Sequence, residues 1–203
     1  EQATRRFGGV DLLVNCAGFM EIRSFAATPW ELGDRLLQVD LVSPLRLMNL
    51  AVQGLRAAPR RADRADAAPT AGPCGWIVNI SSMAGRVPLR GCSYYGAAKS
   101  GLALASQIAG LELRPRGIHV LTVLPGPVYS GLESRARAQV EPGLVSRHVP
   151  TGDPRVLAEK IERALRCRRA RLVYPTIYAL GDRLPGLASA LAAALSPEPT
   201  DAP

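Results

Sequence analysis

Three side chains near the middle of the chain have the types and spacing for proton chemistry at a carbonyl: Ser82, Tyr95 and Lys99. Tyr95 and Lys99 stand four residues apart in Tyr95-Gly96-Ala97-Ala98-Lys99. On a helix that step puts a phenol and an ammonium on one face, a turn apart. A carbonyl becomes an alcohol by gaining hydride at carbon and a proton at oxygen. A free phenol, with a pKa of about 10, exchanges its proton poorly near neutrality, and a neighbouring ammonium favours the phenolate. A serine hydroxyl at hand can hold the substrate oxygen against the phenol and stabilise the charge that develops there.

These residues need a scaffold, and the apolar pattern supplies one. Runs at 10–15, 76–80 and 118–124 are rich in Val, Ile and Leu and do not alternate with polar residues. Such runs suit strands buried on both faces of a parallel sheet. Helical stretches over 30–55 and 94–113 separate them, the second closed by Pro115 and Gly117. Alternating strands and helices predict an α/β sandwich with right-handed crossovers. Ser82 follows the 76–80 run, and ligands in open α/β sheets sit at the carboxyl ends of the strands. Further along, Asp153 is placed to cap a helix over 154–167, a short strand covers 171–174, and 176–195 reads as an amphipathic helix that Pro185 kinks or divides. The segment between Leu55 and Trp76, rich in Ala, Arg and Pro, is expected to be an exposed loop, and 134–151 is a second polar stretch. One domain is expected over 1–195, with a disordered tail over 196–203.

Composition narrows the class. The chain has 203 residues, 47% hydrophobic and 21% charged, the balance of an ordinary globule. No apolar run approaches the roughly 20 residues of a membrane span. The net charge of +8 comes almost wholly from scattered arginines; Lys99 and Lys160 are the only lysines. No aromatics interleave with the arginines, so nucleic acid is not an expected partner. Cys16, Cys74, Cys92 and Cys167 lack C-x-x-C spacing, and His119 and His148 stand apart, so no metal site is expected. Reduced thiols point to a cytoplasmic setting.

At this stage the chain resembles the single-domain branch of the short-chain dehydrogenase/reductase superfamily. Val14-Asn15-Cys16-Ala17-Gly18 resembles that family's Asn-Asn-Ala-Gly segment, with Cys16 in place of the second Asn. Ile80-Ser81-Ser82-Met83-Ala84-Gly85, followed by Tyr95 and Lys99, resembles its active-site signature, and Leu124-Pro125-Gly126-Pro127-Val128-Tyr129-Ser130 its Pro-Gly segment. The resemblance implies a Rossmann-like, doubly wound parallel sheet and an NAD- or NADP-dependent oxidoreductase interconverting a carbonyl and an alcohol. It implies Tyr95 as general acid/base, Ser82 and Lys99 as its helpers, and Lys99 on the nicotinamide ribose. It assigns Asn15, Ala17 and Gly18 to the adenosine ribose. Pro125, Gly126 and Val128 would lie at the nicotinamide carboxamide, with Ser130 as a further cofactor contact. Homodimers or homotetramers built on the helices at 30–55 and 94–113 are also implied.

Three departures from the family accompany the match. Only 14 residues precede Asn15, so the first strands and the Gly-rich phosphate loop are missing, which reads as a truncation or incomplete gene model. Weak cofactor binding and an exposed sheet edge are expected of such a chain. Asp40 stands where the family usually has Asn, whose backbone carbonyl supports a water chain to the lysine. Asp40 either keeps that part, its carboxylate partly offsetting the effect of Lys99 on Tyr95, or is a helix-facing acid without one. The Leu-rich C-terminal helix replaces the usual last strand, as in relatives acting on bulky or lipid-like substrates; it is expected to cover the core, with a membrane-surface contact or substrate lid as alternatives. Two other functions remain open: a nucleotide-sugar epimerase-type relative, and a non-catalytic relative acting in binding or oligomerisation.

Overall fold

The structure, a computed structural model, describes residues 2–57, 75–141 and 149–200. Four parallel strands form one sheet in the order β1 (Leu12–Asn15), β2 (Gly75–Ile80), β3 (Ile118–Pro125), β4 (Arg171–Tyr174). In register, Asn15, Asn79, Thr122 and Arg171 make one row across it. The helices in chain order are α1 (Gln2–Phe7), α2 (Trp30–Leu37), α3 (Ser43–Ala57), α4 (Ser93–Leu113), α5 (Gly131–Ala138), α6 (Pro154–Arg166), α7 (Tyr178–Arg183) and α8 (Pro185–Leu195).

Both faces of β2 and β3 are covered, which is why these strands do not alternate. On one face Ile77 and Val120 pack with Met48 of α3 and Leu113 of α4. On the other, Val78, Leu121 and Val123 meet Leu157, Ile161, Ala164 and Leu165 of α6. This is the doubly wound α/β arrangement expected from the pattern of runs. At its edge, β1 leaves Leu12 and Val14 exposed. Asp153 caps α6, its carboxylate accepting from the Arg155 and Val156 N–H groups, with Pro154 in the first turn. Among the described residues, no helix is long and apolar enough to cross a membrane.

The structure departs from the sequence expectations in three places. The stretch at 30–55 is two α-helices joined by a π-helical turn, Gln38–Val42, in which the Ser43 N–H reaches back to the Gln38 carbonyl. Pro44 supplies the reason: it has no N–H to give to the Asp40 carbonyl four residues before it, so the α-ladder is interrupted there. The C-terminal helix divides before Pro185, as its sequence predicts, but α8 does not cover the core. No residue of α8 is buried, and Leu187 is 69% exposed. Only Tyr178 of α7 reaches inward, against the cluster of Met83, Ala103 and Leu124.

Residues 196–200 of the expected tail make contacts with distant loops. Ser196 is buried and accepts from the Arg90 N–H, while residues 198 and 200 pair with the backbone at Glu141 and Gln139. These partners come from distant loops, which a composition argument about a terminus does not see. Lastly, part of the 134–151 stretch is helical, in α5. The expected loop between Leu55 and Trp76 falls largely on 58–74 and lies outside the described residues, as do Cys74, His148 and the last three positions of the tail.

Candidate active site

The site forms where β2 ends against the first turns of α4. After Ile80 the chain leaves the sheet through Ser81 and enters a 3-10 turn, Met83–Gly85, capped by Ser82, whose hydroxyl accepts from the Ala84 N–H at 3.1 Å. That turn lies directly on α4. A Cβ on Gly85 would stand 2.6 Å from the Ser100 backbone nitrogen, so only glycine lets the two backbones approach this closely. Ser81, itself buried, donates to the Lys99 carbonyl at 2.7 Å. Backbone contacts and one buried hydroxyl therefore fix Ser82 relative to Tyr95 and Lys99, all three in one corner.

Tyr95 is buried, and the nearby Ser82 hydroxyl favours its phenolate. The Lys99 ammonium lies 5.7 Å from the Tyr95 ring centroid, donates to the Ile80 carbonyl at 3.1 Å and stands 2.9 Å from Asp40 Oδ1. Asp40 is fully buried in the π turn, and its other oxygen accepts from the Phe19 N–H. Gly18 sits over this pair: a Cβ there would meet Asp40 Oδ1 at 2.4 Å and Lys99 Nζ at 3.4 Å. The segment leaving β1, the turn carrying Asp40 and the helix carrying Lys99 thus converge on one ammonium.

Burial dominates the electrostatics around Tyr95. Burial pushes the Tyr95 phenol well above the usual phenol range, and the charges of Asp40 and Cys92 push it further; the Ser82 hydroxyl pulls it part of the way back. Low dielectric penalises the phenolate, and the Lys99 charge is shared with a carboxylate. Burial also raises Asp40, with Lys99 and the Phe19 N–H acting against it. Cys92, one turn before Tyr95, is pushed up to about 11 by burial.

The residues expected to meet a cofactor are placed differently from one another. Pro125–Gly126–Pro127–Val128 leaves the carboxyl end of β3 and is pinned to residue 152. The pinning bonds run from the Tyr129 N–H to the Gly152 carbonyl and from the Gly152 N–H to the Pro127 carbonyl. In a parallel bridge of this kind the N–H and C=O of Val128 itself face the opposite way. Ser130 caps α5, its oxygen accepting from the Glu133 N–H. Ala17 and Gly18 are exposed beside the site. Asn15, by contrast, turns its side chain into the core and donates to Asn79 Oδ1 at 2.7 Å. Asn79 in turn donates to Ser106 of α4 at 2.8 Å. Asn15 therefore ties β1 to β2, and its Oδ1 is buried without a hydrogen-bond partner.

The signature segment at 80–85 contains Ile80, Ser81 and Gly85, but the sequence pattern assigned no role to the Ile80 carbonyl, the Ser81 hydroxyl or Gly85. Pro44 was the available signal for the π turn that aims Asp40 at Lys99.

A family model described as short chain dehydrogenase matches residues 1–141. Curated relatives include D-beta-hydroxybutyrate dehydrogenase of Cupriavidus necator, 30% identical over 138 residues, covering 66% of this chain and 48% of that protein. Trans-4-hydroxycyclohexanecarboxylate dehydrogenase of Sinomonas cyclohexanicum is 32% identical over 126 residues, covering 62% and 43%. The chain thus spans about half the length of the curated relatives it matches. Among solved structures, a short-chain dehydrogenase from Streptomyces avermitilis is 26% identical with a TM-score of 0.70, covering 96% of this chain and 70% of that one. A short-chain dehydrogenase from Sphingobium yanoikuyae in complex with NADPH is 26% identical with a TM-score of 0.64, covering 91% and 65%. The doubly wound sheet, with a serine, tyrosine and lysine gathered where β2 meets α4, is thus matched by a family model over most of its length, and the chain belongs to the short-chain dehydrogenase family.

Proposed function

We propose that this chain carries the proton-transfer site of an oxidoreductase that interconverts a small-molecule carbonyl and alcohol with NAD or NADP. The observation that carries the reading is the convergence of Ser82, Tyr95 and Lys99 in one buried corner at the carboxyl end of the sheet. NAD(P)H, when bound, supplies the hydride to the carbonyl carbon, and the oxidised form takes it back from the alcohol.

The residues present fit the nicotinamide end of such a cofactor. Val128 offers an unengaged N–H and C=O side by side, the complement of a carboxamide. Lys99 has three donors and two described partners, which leaves one N–H for a ribose hydroxyl. The Ser130 hydroxyl keeps a proton to donate while its oxygen caps α5. The relative in complex with NADPH supports the same cofactor class.

In the reducing direction the Tyr95 O–H gives its proton to the substrate oxygen as the carbon accepts hydride, leaving alcohol and phenolate. Ser82 holds the oxygen in place and donates to its developing charge. The phenolate is then reprotonated from solvent. In the oxidising direction the phenolate takes the alcohol proton. The curated relatives are named for hydroxy acids, whose hydroxyl carbon is the kind of centre such a site handles. Leu47 and Leu50 of α3, with Leu104, Ile108 and Leu111 of α4, are exposed and support a homo-oligomer built on these helices. Cys16, Cys92 and Cys167 are free thiols, which suits a reducing, cytoplasmic setting.

The test is Tyr95→Phe in a full-length version of the protein. Turnover should fall by about a hundredfold or more while NAD(P)H binding persists. Turnover equal to wild type would overturn the reading.

A further inference from the structure

Asp40 is completely buried and bears a carboxylate 2.9 Å from an ammonium that is itself only 6% exposed. A buried ion pair gains little net stability, because two charges must be stripped of water. The pair is nevertheless built in with care. The π turn aims Asp40 inward, Gly18 leaves room above it, and the Phe19 N–H donates to the second carboxylate oxygen. The charged and titratable groups around it are few: Lys99 and Tyr95 from α4, Cys92 from the residue before α4, and the Ser82 hydroxyl from the end of β2.

We propose that Asp40 is a positioning residue, a fixed counter-ion that holds the Lys99 ammonium beside the Ile80 carbonyl under Gly18 and keeps the Tyr95 hydroxyl protonated. The site then donates a proton over a wide pH range and accepts one only under alkaline conditions. The equilibrium between carbonyl and alcohol still follows the cofactor; what Asp40 sets is the pH dependence of each direction. The physical cause is charge. A carboxylate 2.9 Å from Lys99 opposes the field that the ammonium would exert on the phenol, and its own charge disfavours the phenolate. A neutral amide in its place can keep the Phe19 contact and restores the full Lys99 charge.

The inference takes its meaning from the oxidoreductase reading, but its test reads protons rather than turnover, so the two can fail separately. The chain is labelled with carbon-13 at tyrosine Cζ and aspartate Cγ and titrated by NMR across the pH range in which it stays folded. Tyr95→Phe assigns the Tyr95 resonance. In Asp40→Asn the Tyr95 midpoint should move to lower pH, with the phenolate fraction below the midpoint rising about tenfold. Asp40→Glu, which keeps the charge, should titrate like wild type. A Tyr95 resonance that behaves alike in wild type and Asp40→Asn overturns the proposal. So does an Asp40 Cγ resonance at the protonated position at pH 7 in the wild-type chain, a reading available even if Asp40→Asn does not fold.

Discussion

The catalytic corner and the C-terminal helix pair hold their residues by opposite means. Beside Tyr95, buried polar groups partner one another: Ser81 on the Lys99 carbonyl, Lys99 on Ile80 and Asp40, Asp40 on Phe19. In α7 and α8 the leucines are the exposed groups, with Leu180, Leu184, Leu187, Leu191 and Leu195 all outside the core. An apolar stripe thus lies at the surface while a buried corner is built from charges and hydroxyls. Burial here follows from which elements meet. Hydrophobicity along the chain is a poor guide to it when a helix has no opposing surface among the described residues.

Substituting one group in each region tests this contrast. In the corner, Lys99→Met removes the ammonium and leaves the Asp40 carboxylate buried alone. The chain should lose about 3–5 kcal/mol of stability in urea unfolding. A loss below about 1 kcal/mol, the scale of a surface pair, would mean that the corner is open to water.

The thiols divide along the same line. Cys92, buried and pushed up to about 11, should resist alkylation at pH 8 while exposed Cys16 and Cys167 react, as read by mass spectrometry of the treated chain. Its linkage has a definite sign. The folded pKa lies above the 9.0 of a free thiol, so this contribution to stability is complete below pH 9 and is lost as pH rises toward 11. Cys92→Ala should flatten the stability profile in that window. An unchanged slope would show that the thiol titrates freely.

The smallest change is expected at the surface. Leu187→Ser or Leu191→Ser in α8 should alter the unfolding free energy by no more than about 0.5 kcal/mol. A loss of about 2 kcal/mol or more would place these leucines in a packed interface after all.

Much of the architecture was legible in the residues themselves. Non-alternating Val/Ile/Leu runs marked strands of a parallel sheet; β2 and β3 are covered by α3 and α4 on one side and α6 on the other, while β1 at the edge leaves one face exposed. Asp153 and Pro154 announced the start of α6 because capping is a local matter between a side chain and the next N–H groups. Tyr95 and Lys99 were legible together for the same reason: a four-residue helical step is short-range geometry.

What spacing along the chain could not carry were the contacts between segments far apart in it. Asp40 and Lys99 are 59 positions apart, and their meeting depends on a π turn and on the stacking of that turn against α4. The inward turn of Asn15 toward Asn79 depends on strand register, and the docking of Ser196 on Arg90 on loops brought in from elsewhere. Local patterns dictate which element forms, because propensity and capping act over a few residues. The protonation state of Tyr95 belongs to the assembled fold, because burial and the fields of distant charges exist only once the segments have packed.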